Sequence, residues 1–247
     1  MEAVAGKFVP VMITPFNLKA EIDFDAVSTL VEFYLEAGVK GFFANCLSSE
    51  MYSITEAERL QLTRHVVKQV NGRVPVVATS SFGLTLQDKA DFTKKIYQTG
   101  IDAAILITGH FAKVEEDYNK LLQNFDAFLS MTDDIPLGMY ECPAPYKRII
   151  DTDVFKKLLQ TGRFVYHKDT SITHENVLGK LNALKQVSSP MEFYDAHTPN
   201  AMFSMQHGAT GMSSISGNFY PEVLAWMVNN ANDPSRQEMV QWLQSEL

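Results

Sequence analysis

The chain has 247 residues, 46% of them hydrophobic and 20% charged, which is typical of a folded globular protein and excludes a disordered chain. The net charge of −8, with no run of Lys and Arg, argues against nucleic acid or an anionic membrane as a partner. No basic segment leads into a long apolar stretch near the N-terminus, and two cysteines are too few for a disulfide framework. A cytoplasmic protein is therefore expected.

Short apolar runs alternate along the chain with longer segments whose apolar residues recur at helical spacing. The runs predict eight strands, at residues 8–14, 41–45, 74–79, 103–108, 136–140, 163–168, 191–195 and 210–216. The segments between them predict eight helices, at residues 25–37, 55–70, 86–99, 115–131, 152–159, 174–184, 200–207 and 221–230. Residues suited to helix N-termini support these bounds, with a capping box at Thr55 and Glu58 and an N-cap at Asp151.

The predicted strands at 74–79 and 103–108 are apolar on both faces, which is typical of a parallel sheet covered by helices. Eight such units without a linker favour a single (β/α)8 barrel, or TIM barrel, over an open doubly wound sheet. We predict a catalytic barrel over residues 1–232. Residues 233–247 are expected to begin a C-terminal helical extension that is cut short.

Reactive groups of a parallel barrel lie at the C-terminal ends of its strands. Lys168 ends the apolar run at 163–168, where a lysine side chain is expected to be largely out of water. An ion pair with Asp169 or Glu141 would account for it. Alternatively, desolvation lowers the pKa of the amine from its ordinary ~10.4, which leaves a neutral nucleophile able to attack a carbonyl.

Tyr140 ends the strand before Lys168, so its hydroxyl is expected beside the Lys168 amine, where it could carry protons. The alternative is that Tyr140 is an aromatic residue of the core whose hydroxyl contacts water.

The loop after the second strand offers a candidate carboxylate site. Leu47, Ser48 and Ser49 precede a predicted helix, and their hydroxyls and backbone N–H groups could hold an anion. A plain polar loop is the alternative. Ser213, at the end of the eighth strand, is a further candidate for substrate binding.

These motifs resemble those of the dihydrodipicolinate synthase and N-acetylneuraminate lyase family over essentially the whole chain. The resemblance lies in VPVMITPF at 9–16, the loop ending in Ser48-Ser49-Glu50, YECP at 140–143, KDTS at 168–171 and GATG at 208–211.

The resemblance implies a (β/α)8 barrel with a helical extension, no metal or other cofactor, and a homo-oligomer, either a dimer or a tetramer. It implies that Lys168 forms a Schiff base with pyruvate or a related 2-oxo acid and that Tyr140 shuttles protons. It also implies that Ser48 supplies a relay hydroxyl and that the Ser48–Ser49 loop holds the substrate carboxylate.

Two of the positions that depart from the family pattern bear on the second substrate. Phe111 stands where the synthases have a second relay tyrosine, and phenylalanine cannot carry a proton. Pro145 stands where they have an arginine for the carboxylate of an amino-acid aldehyde, with Lys147 and Arg148 slightly displaced. We therefore favour a carbon–carbon lyase of the aldolase type acting on a sugar-acid-like substrate, with dihydrodipicolinate synthase (4-hydroxy-tetrahydrodipicolinate synthase) as the alternative.

Two further alternatives stay open. A metal-dependent barrel could use Glu141, Asp169, Asp195 and His197, although the usual metal-ligand spacings are absent from the sequence. A catalytically inactive family member is the other, but such a protein would have no chemical reason to keep both Lys168 and Tyr140.

Overall fold

A computed structural model describes residues 5–247. In this part of the chain each of eight strands is followed by a helix, and one more helix comes last. The strands are β1 (Lys7–Phe8), β2 (Phe42–Asn45), β3 (Val76–Thr79), β4 (Ala103–Ile107), β5 (Leu137–Tyr140), β6 (Phe164–Asp169), β7 (Glu192–Asp195) and β8 (Gly211–Met212). The helices are α1 (Phe24–Glu36), α2 (Glu56–Val70), α3 (Leu86–Tyr97), α4 (Tyr118–Leu129), α5 (Thr152–Gln160), α6 (His174–Val187), α7 (Ala201–Gln206), α8 (Pro221–Asn229) and α9 (Gln237–Glu246). The predicted alternation of strands and helices is confirmed.

By their contacts the described residues divide into two compact units. We call residues 5–76 and 194–247 the terminal unit and residues 77–193 the central unit.

In the terminal unit, β8 pairs in parallel with both β7 and β1, through Tyr194 opposite Gly211 and Lys7 opposite Gly211. A parallel bridge between Val11 and Phe43 joins the chain after β1 to β2. A Cβ atom added at Gly211 would lie 1.8 Å from the Lys7 carbonyl oxygen, so this pairing requires glycine.

In the central unit, β4 pairs in parallel with β3 and β5, and β5 pairs in parallel with β6. Every residue of β4 and β5 is buried, as expected for strands covered on both faces. Tyr140 is opposite Ile107 on one side and Lys168 on the other. The C-terminal ends of β4, β5 and β6 therefore lie side by side.

Local chemistry sets several element boundaries. The capping box of Thr55 and Glu58 is present at the start of α2, and the Asp151 side chain caps α5. The predicted start of α4 at residue 115 is wrong, because Asp117 accepts a hydrogen bond from the Lys120 amide and the helix begins after it. The predicted first strand at 8–14 is also wrong in length, because Pro10 has no N–H group to extend the pairing of β1.

No helix within residues 5–247 is long and apolar enough to cross a membrane. Cys46 and Cys142 are buried and form no disulfide bond. The helix α9 lies within residues 233–247, where a C-terminal extension is predicted to begin. The boundary at residue 232 stays a prediction, and residues 1–4 of the predicted barrel lie outside the described residues.

Candidate active site

Lys168 and Tyr140 lie side by side at the C-terminal ends of β6 and β5. Each residue is only 4% exposed. The Lys168 Nζ atom lies 4.5 Å from the centroid of the Tyr140 ring, within the range of a cation–π contact. The structure therefore brings together the two catalytic residues that the sequence predicts in this unit.

A buried amine next to a phenol combines a nucleophile with an acid–base group, which together suit carbonyl chemistry at a lysine. The amine attacks the carbonyl carbon, and the hydroxyl moves protons while the bonds rearrange. Burial limits competition from water for both groups.

The two carboxylates that the sequence suggests as partners of Lys168 both contact a second lysine, Lys180. Lys180, on α6, places its Nζ atom 2.5 Å from Oε1 of Glu141 and 2.5 Å from Oδ2 of Asp169. Lys180 is 1% exposed and both acids are fully buried. We call Lys180, Glu141 and Asp169 the buried triad. Within it, Lys180 is the cation that both carboxylates contact.

Lys180 and Asp169 are charged in their stable forms. Burial alone would lower the pKa of the Lys180 amine, but the charges of Glu141 and Asp169 raise it above its ordinary value. Burial alone would raise the pKa of the Asp169 carboxyl, but Lys180 and the neighbouring His167 hold it well below its ordinary value. The attraction within the triad thus outweighs the cost of desolvation.

The metal-dependent alternative is not supported at these residues. Glu141, His167 and Asp169 offer ligand atoms within 4.8 Å of one another. However, the ammonium group of Lys180 contacts both carboxylates and takes the place that a metal cation would need. Asp195, in the terminal unit, accepts hydrogen bonds from Ser204 and from the backbone N–H of His197, so its carboxylate also has protein partners.

The strand-2 loop in the terminal unit forms a tight turn over Leu47–Ser49. Ser49 is fully buried and its hydroxyl donates to the Met12 carbonyl oxygen at 2.7 Å, while it accepts from the Cys46 N–H at 3.1 Å. Leu47 and Ser48 are half-buried. The Ser49 hydroxyl therefore shapes the turn, and the roles predicted for all three residues stay predictions.

Ser213, also in the terminal unit, follows β8. It is fully buried, its N–H donates to the Asp195 carbonyl oxygen at 2.8 Å, and its hydroxyl has no hydrogen-bond partner among the described residues. A buried hydroxyl without a partner is uncommon and is consistent with a ligand contact. Its predicted role in substrate binding likewise stays a prediction.

Phe111 is part of the core of the central unit. It is 1% exposed, its ring stacks on Phe125 at 4.4 Å between centroids, and it meets the edge of Phe128 at 5.1 Å. The side chain thus packs against α4, where a hydroxyl would have apolar neighbours.

Arg148, considered as a displaced carboxylate ligand, binds backbone instead. Its guanidinium donates to the carbonyl oxygens of Lys113 and Glu116 and to the Tyr146 hydroxyl. It also lies 5.5 Å from the centroid of the Tyr146 ring. These contacts fix the loop after β4 and occupy three of the donors that a substrate carboxylate would need.

Sequence reasoning missed Lys180. It lies between Val177 and Leu181 on the buried side of α6, so a lysine in the apolar stripe of a predicted helix was the available signal. That stripe does not indicate which acids the lysine contacts, because Glu141 follows β5 and Asp169 ends β6, and neither is near Lys180 in the sequence.

We predict that Phe111→Tyr lowers the free energy of unfolding by about 1–3 kcal/mol, because the new hydroxyl is buried among aromatic rings. Urea unfolding measures the change. Phe219→Tyr is the control, since Phe219 is 76% exposed and should change stability little. An unaltered stability for Phe111→Tyr would contradict the packing described for Phe111.

We predict that Lys180→Met costs about 3–5 kcal/mol, because it leaves two buried carboxylates without their cation. The charge-neutral variant E141Q/D169N/K180M should lose much less, since a buried ionic cluster replaced as a whole is often tolerated. Lys157→Met, at an exposed lysine on α5, is the control and should lie within about 0.5 kcal/mol of wild type.

The same variants give a pH dependence. Because the folded pKa of Asp169 lies below its unfolded value of 3.8, its stabilisation is present above that pH and is lost as the pH falls further. Wild type should therefore lose stability relative to E141Q/D169N/K180M as the pH is lowered through the range below about 5. Parallel unfolding curves for the two proteins over that range would contradict the ionic triad.

Comparison with known proteins supports the family suggested by the motifs. The family model for the dihydrodipicolinate synthetase family matches residues 5–247. The chain is 28% identical over 211 residues to the 4-hydroxy-tetrahydrodipicolinate synthase of Oceanobacillus iheyensis, covering 85% of this chain and 69% of that protein. It is 26% identical over 229 residues to the enzyme of the same name from Bacillus subtilis, covering 91% and 76%.

Solved structures show the fold. The prophage protein YagE from E. coli K12, a member of the dihydrodipicolinic acid synthase family crystallised with pyruvate, superposes with a TM-score of 0.87 at 20% identity, covering 98% of this chain and 80% of that one. The dihydrodipicolinate synthase of Bacteroides thetaiotaomicron gives 0.87 at 19% identity, covering 100% and 80%. With its eight parallel βα units, the chain has the predicted (β/α)8-barrel fold. The motifs, the fold and the family model agree, and the chain belongs to the dihydrodipicolinate synthetase family of carbon–carbon lyases.

Proposed function

We propose that this chain is a lyase that forms a Schiff base between Lys168 and the keto carbon of pyruvate or a related 2-oxo acid. The observation that carries the proposal is the buried pair of Lys168 and Tyr140, with the amine 4.5 Å from the centre of the tyrosine ring. The relatives named above, and the pyruvate bound to YagE, support pyruvate as the 2-oxo acid.

The proposed reaction begins with the neutral Lys168 amine, whose lone pair attacks the keto carbon. The carbonyl oxygen leaves as water after it takes up protons, and the product is an iminium ion. Loss of a proton from the adjacent methyl carbon gives an enamine, whose carbon then attacks an aldehyde; the reverse sequence cleaves the same bond. Tyr140 carries protons in these steps.

The proposed roles in the terminal unit come from the family resemblance. We assign a relay hydroxyl to Ser48 and carboxylate binding to Leu47 and Ser49. Ser213 is assigned a substrate contact, in line with its buried hydroxyl that has no partner among residues 5–247. A homo-oligomer, either dimeric or tetrameric, is proposed on the same resemblance.

For the second substrate, the named relatives support the synthase reaction better than the sugar-acid aldolase favoured by the sequence motifs. We therefore propose first the condensation of pyruvate with the amino-acid aldehyde that completes the carbon skeleton of 4-hydroxy-tetrahydrodipicolinate.

A sugar-acid-like substrate is the second candidate. The observation that favours it is the loss of two synthase features, since Phe111 is packed in the core and the Arg148 guanidinium is bound to backbone. Pyruvate consumption with the amino-acid aldehyde, measured beside pyruvate release from sugar-derived 2-oxo acids, distinguishes the two reactions.

We predict that incubation with pyruvate and borohydride leaves a reduced pyruvate adduct on Lys168, because reduction traps the iminium ion. Mass spectrometry of proteolytic peptides locates the adduct. It should be absent from Lys168→Ala and retained in Lys157→Ala, which removes an exposed lysine. A wild-type protein without an adduct, or an adduct that persists in Lys168→Ala, would refute the proposal.

We predict that Tyr140→Phe slows turnover by roughly 10²-fold or more while pyruvate binding changes little, because only the proton carrier is lost. Steady-state kinetics gives kcat with whichever second substrate the preceding comparison shows to be turned over, and titration with pyruvate gives the binding affinity. Turnover equal to wild type would remove Tyr140 from the mechanism.

A further inference from the structure

The buried triad lies next to the candidate catalytic pair along the chain. Glu141 directly follows Tyr140, and Asp169 directly follows Lys168. Successive residues of a strand point to opposite faces of the sheet, so Asp169 faces away from the side on which Lys168 projects. Lys180 reaches Asp169 from α6, on that opposite side. The triad therefore lies behind the catalytic pair.

Hydrogen bonds from Glu141 tie the end of β5 to the end of β6. Its carboxylate accepts from the Thr170 N–H at 3.0 Å, and its carbonyl oxygen accepts from the Thr170 hydroxyl at 2.6 Å. Its own N–H donates to the Lys168 carbonyl oxygen at 3.3 Å. The segments that follow Tyr140 and Lys168 are thus held together by hydrogen bonds as well as by strand pairing.

The remaining oxygens of the triad fix the adjoining loops. Oε1 of Glu141 also accepts from the Ile150 N–H at 2.8 Å, which closes the loop between β5 and α5. Oδ1 of Asp169 accepts from the N–H of Ser171 at 2.8 Å and from its hydroxyl at 2.6 Å. Lys180 bridges both carboxylates, so one ammonium group links both loops and both strands.

We propose that Lys180, with Glu141 and Asp169, is a positioning device for Schiff-base formation. It acts by locking the ends of β5 and β6 so that the Tyr140 hydroxyl and the Lys168 amine keep their relative placement. This inference rests on the proposed function and deepens it, since it assigns a role in the reaction to residues that lie behind the reacting atoms.

The placement must be accurate for a physical reason. Proton transfer and nucleophilic attack depend steeply on geometry. A displacement of a reacting group by about 1 Å can lower the rate by about 10²-fold. A side chain is held to that accuracy only when the backbone that carries it is fixed by packing and hydrogen bonds. Ionic hydrogen bonds in a dry interior are the strongest contacts available for this purpose.

The test compares wild type with E141Q/D169N/K180M, which keeps the side-chain volumes and removes the charges. Circular dichroism first checks that the variant is folded. The rate of adduct formation on Lys168 is then measured with saturating pyruvate and borohydride, and the pyruvate concentration at half-saturation is measured in parallel. Amide hydrogen exchange at Thr170 and Ile150 reports whether their N–H groups still donate to the side chain at position 141.

We expect the variant to form the adduct at least about tenfold more slowly, with half-saturation changed by less than about threefold. Exchange protection at Thr170 and Ile150 should fall by about tenfold or more, while that of Ala104 in β4 stays as in wild type. A merely structural triad would lose this protection and leave the trapping rate unchanged.

Thr170→Val provides a second variant if the triple substitution does not fold. It removes the hydroxyl bond to the Glu141 carbonyl and leaves every charge in place, so adduct formation should slow by about threefold or more. Lys157→Met is the control and should match wild type in every measurement.

The outcomes separate the two proposals. If wild type forms the adduct and both variants form it equally fast, the positioning role is overturned and the proposed function stands. If wild type forms no adduct, the proposed function fails, and the positioning role that rests on it fails as well.

Discussion

Lys168 and Tyr140 are neighbours because β5 and β6 pair in parallel with these two residues opposite each other. A shift of one residue in that pairing would turn one of the two side chains to the other face of the sheet. The register is therefore the constraint on which the candidate site depends. The buried triad reinforces it with charge on the opposite face, where substrate has no need to enter.

The regular parts of the fold could be predicted from the sequence because two signals are local. These are the spacing of apolar residues and the residue types that begin and end helices and strands. Runs such as 103–108 and the Thr55 capping box specify a strand and a helix start without knowledge of the rest of the chain. The same reasoning selected Lys168 and Tyr140 as candidates, since a polar residue at the end of an apolar run can be recognised from the sequence alone. It failed at β1, where a single proline shortens the strand.

Long-range contacts could not be read in this way. The sequence offered Glu141 and Asp169 as partners of Lys168, but their cation is Lys180, which is supplied by a later helix. It also treated Arg148 as a displaced substrate ligand, whereas the guanidinium binds the backbone of another loop. In both cases the residue type was informative and the partner was decided by tertiary packing.

These differences bear on the choice of second substrate more than on the 2-oxo acid. The amine and phenol of the central unit are intact, and family membership supports their use on pyruvate. Phe111 and Arg148, which the family resemblance associates with the second substrate, are engaged in core packing and in loop structure. Named relatives and local structure thus point to different partners for the same Schiff base.

A crystal structure of the protein soaked with pyruvate would show whether Lys168 forms the proposed Schiff base. We expect continuous electron density between the Nζ atom of Lys168 and the former keto carbon, with the Tyr140 hydroxyl within hydrogen-bonding distance of the adduct. Pyruvate bound without a covalent link, or an adduct on Lys180 or any other lysine, would contradict it.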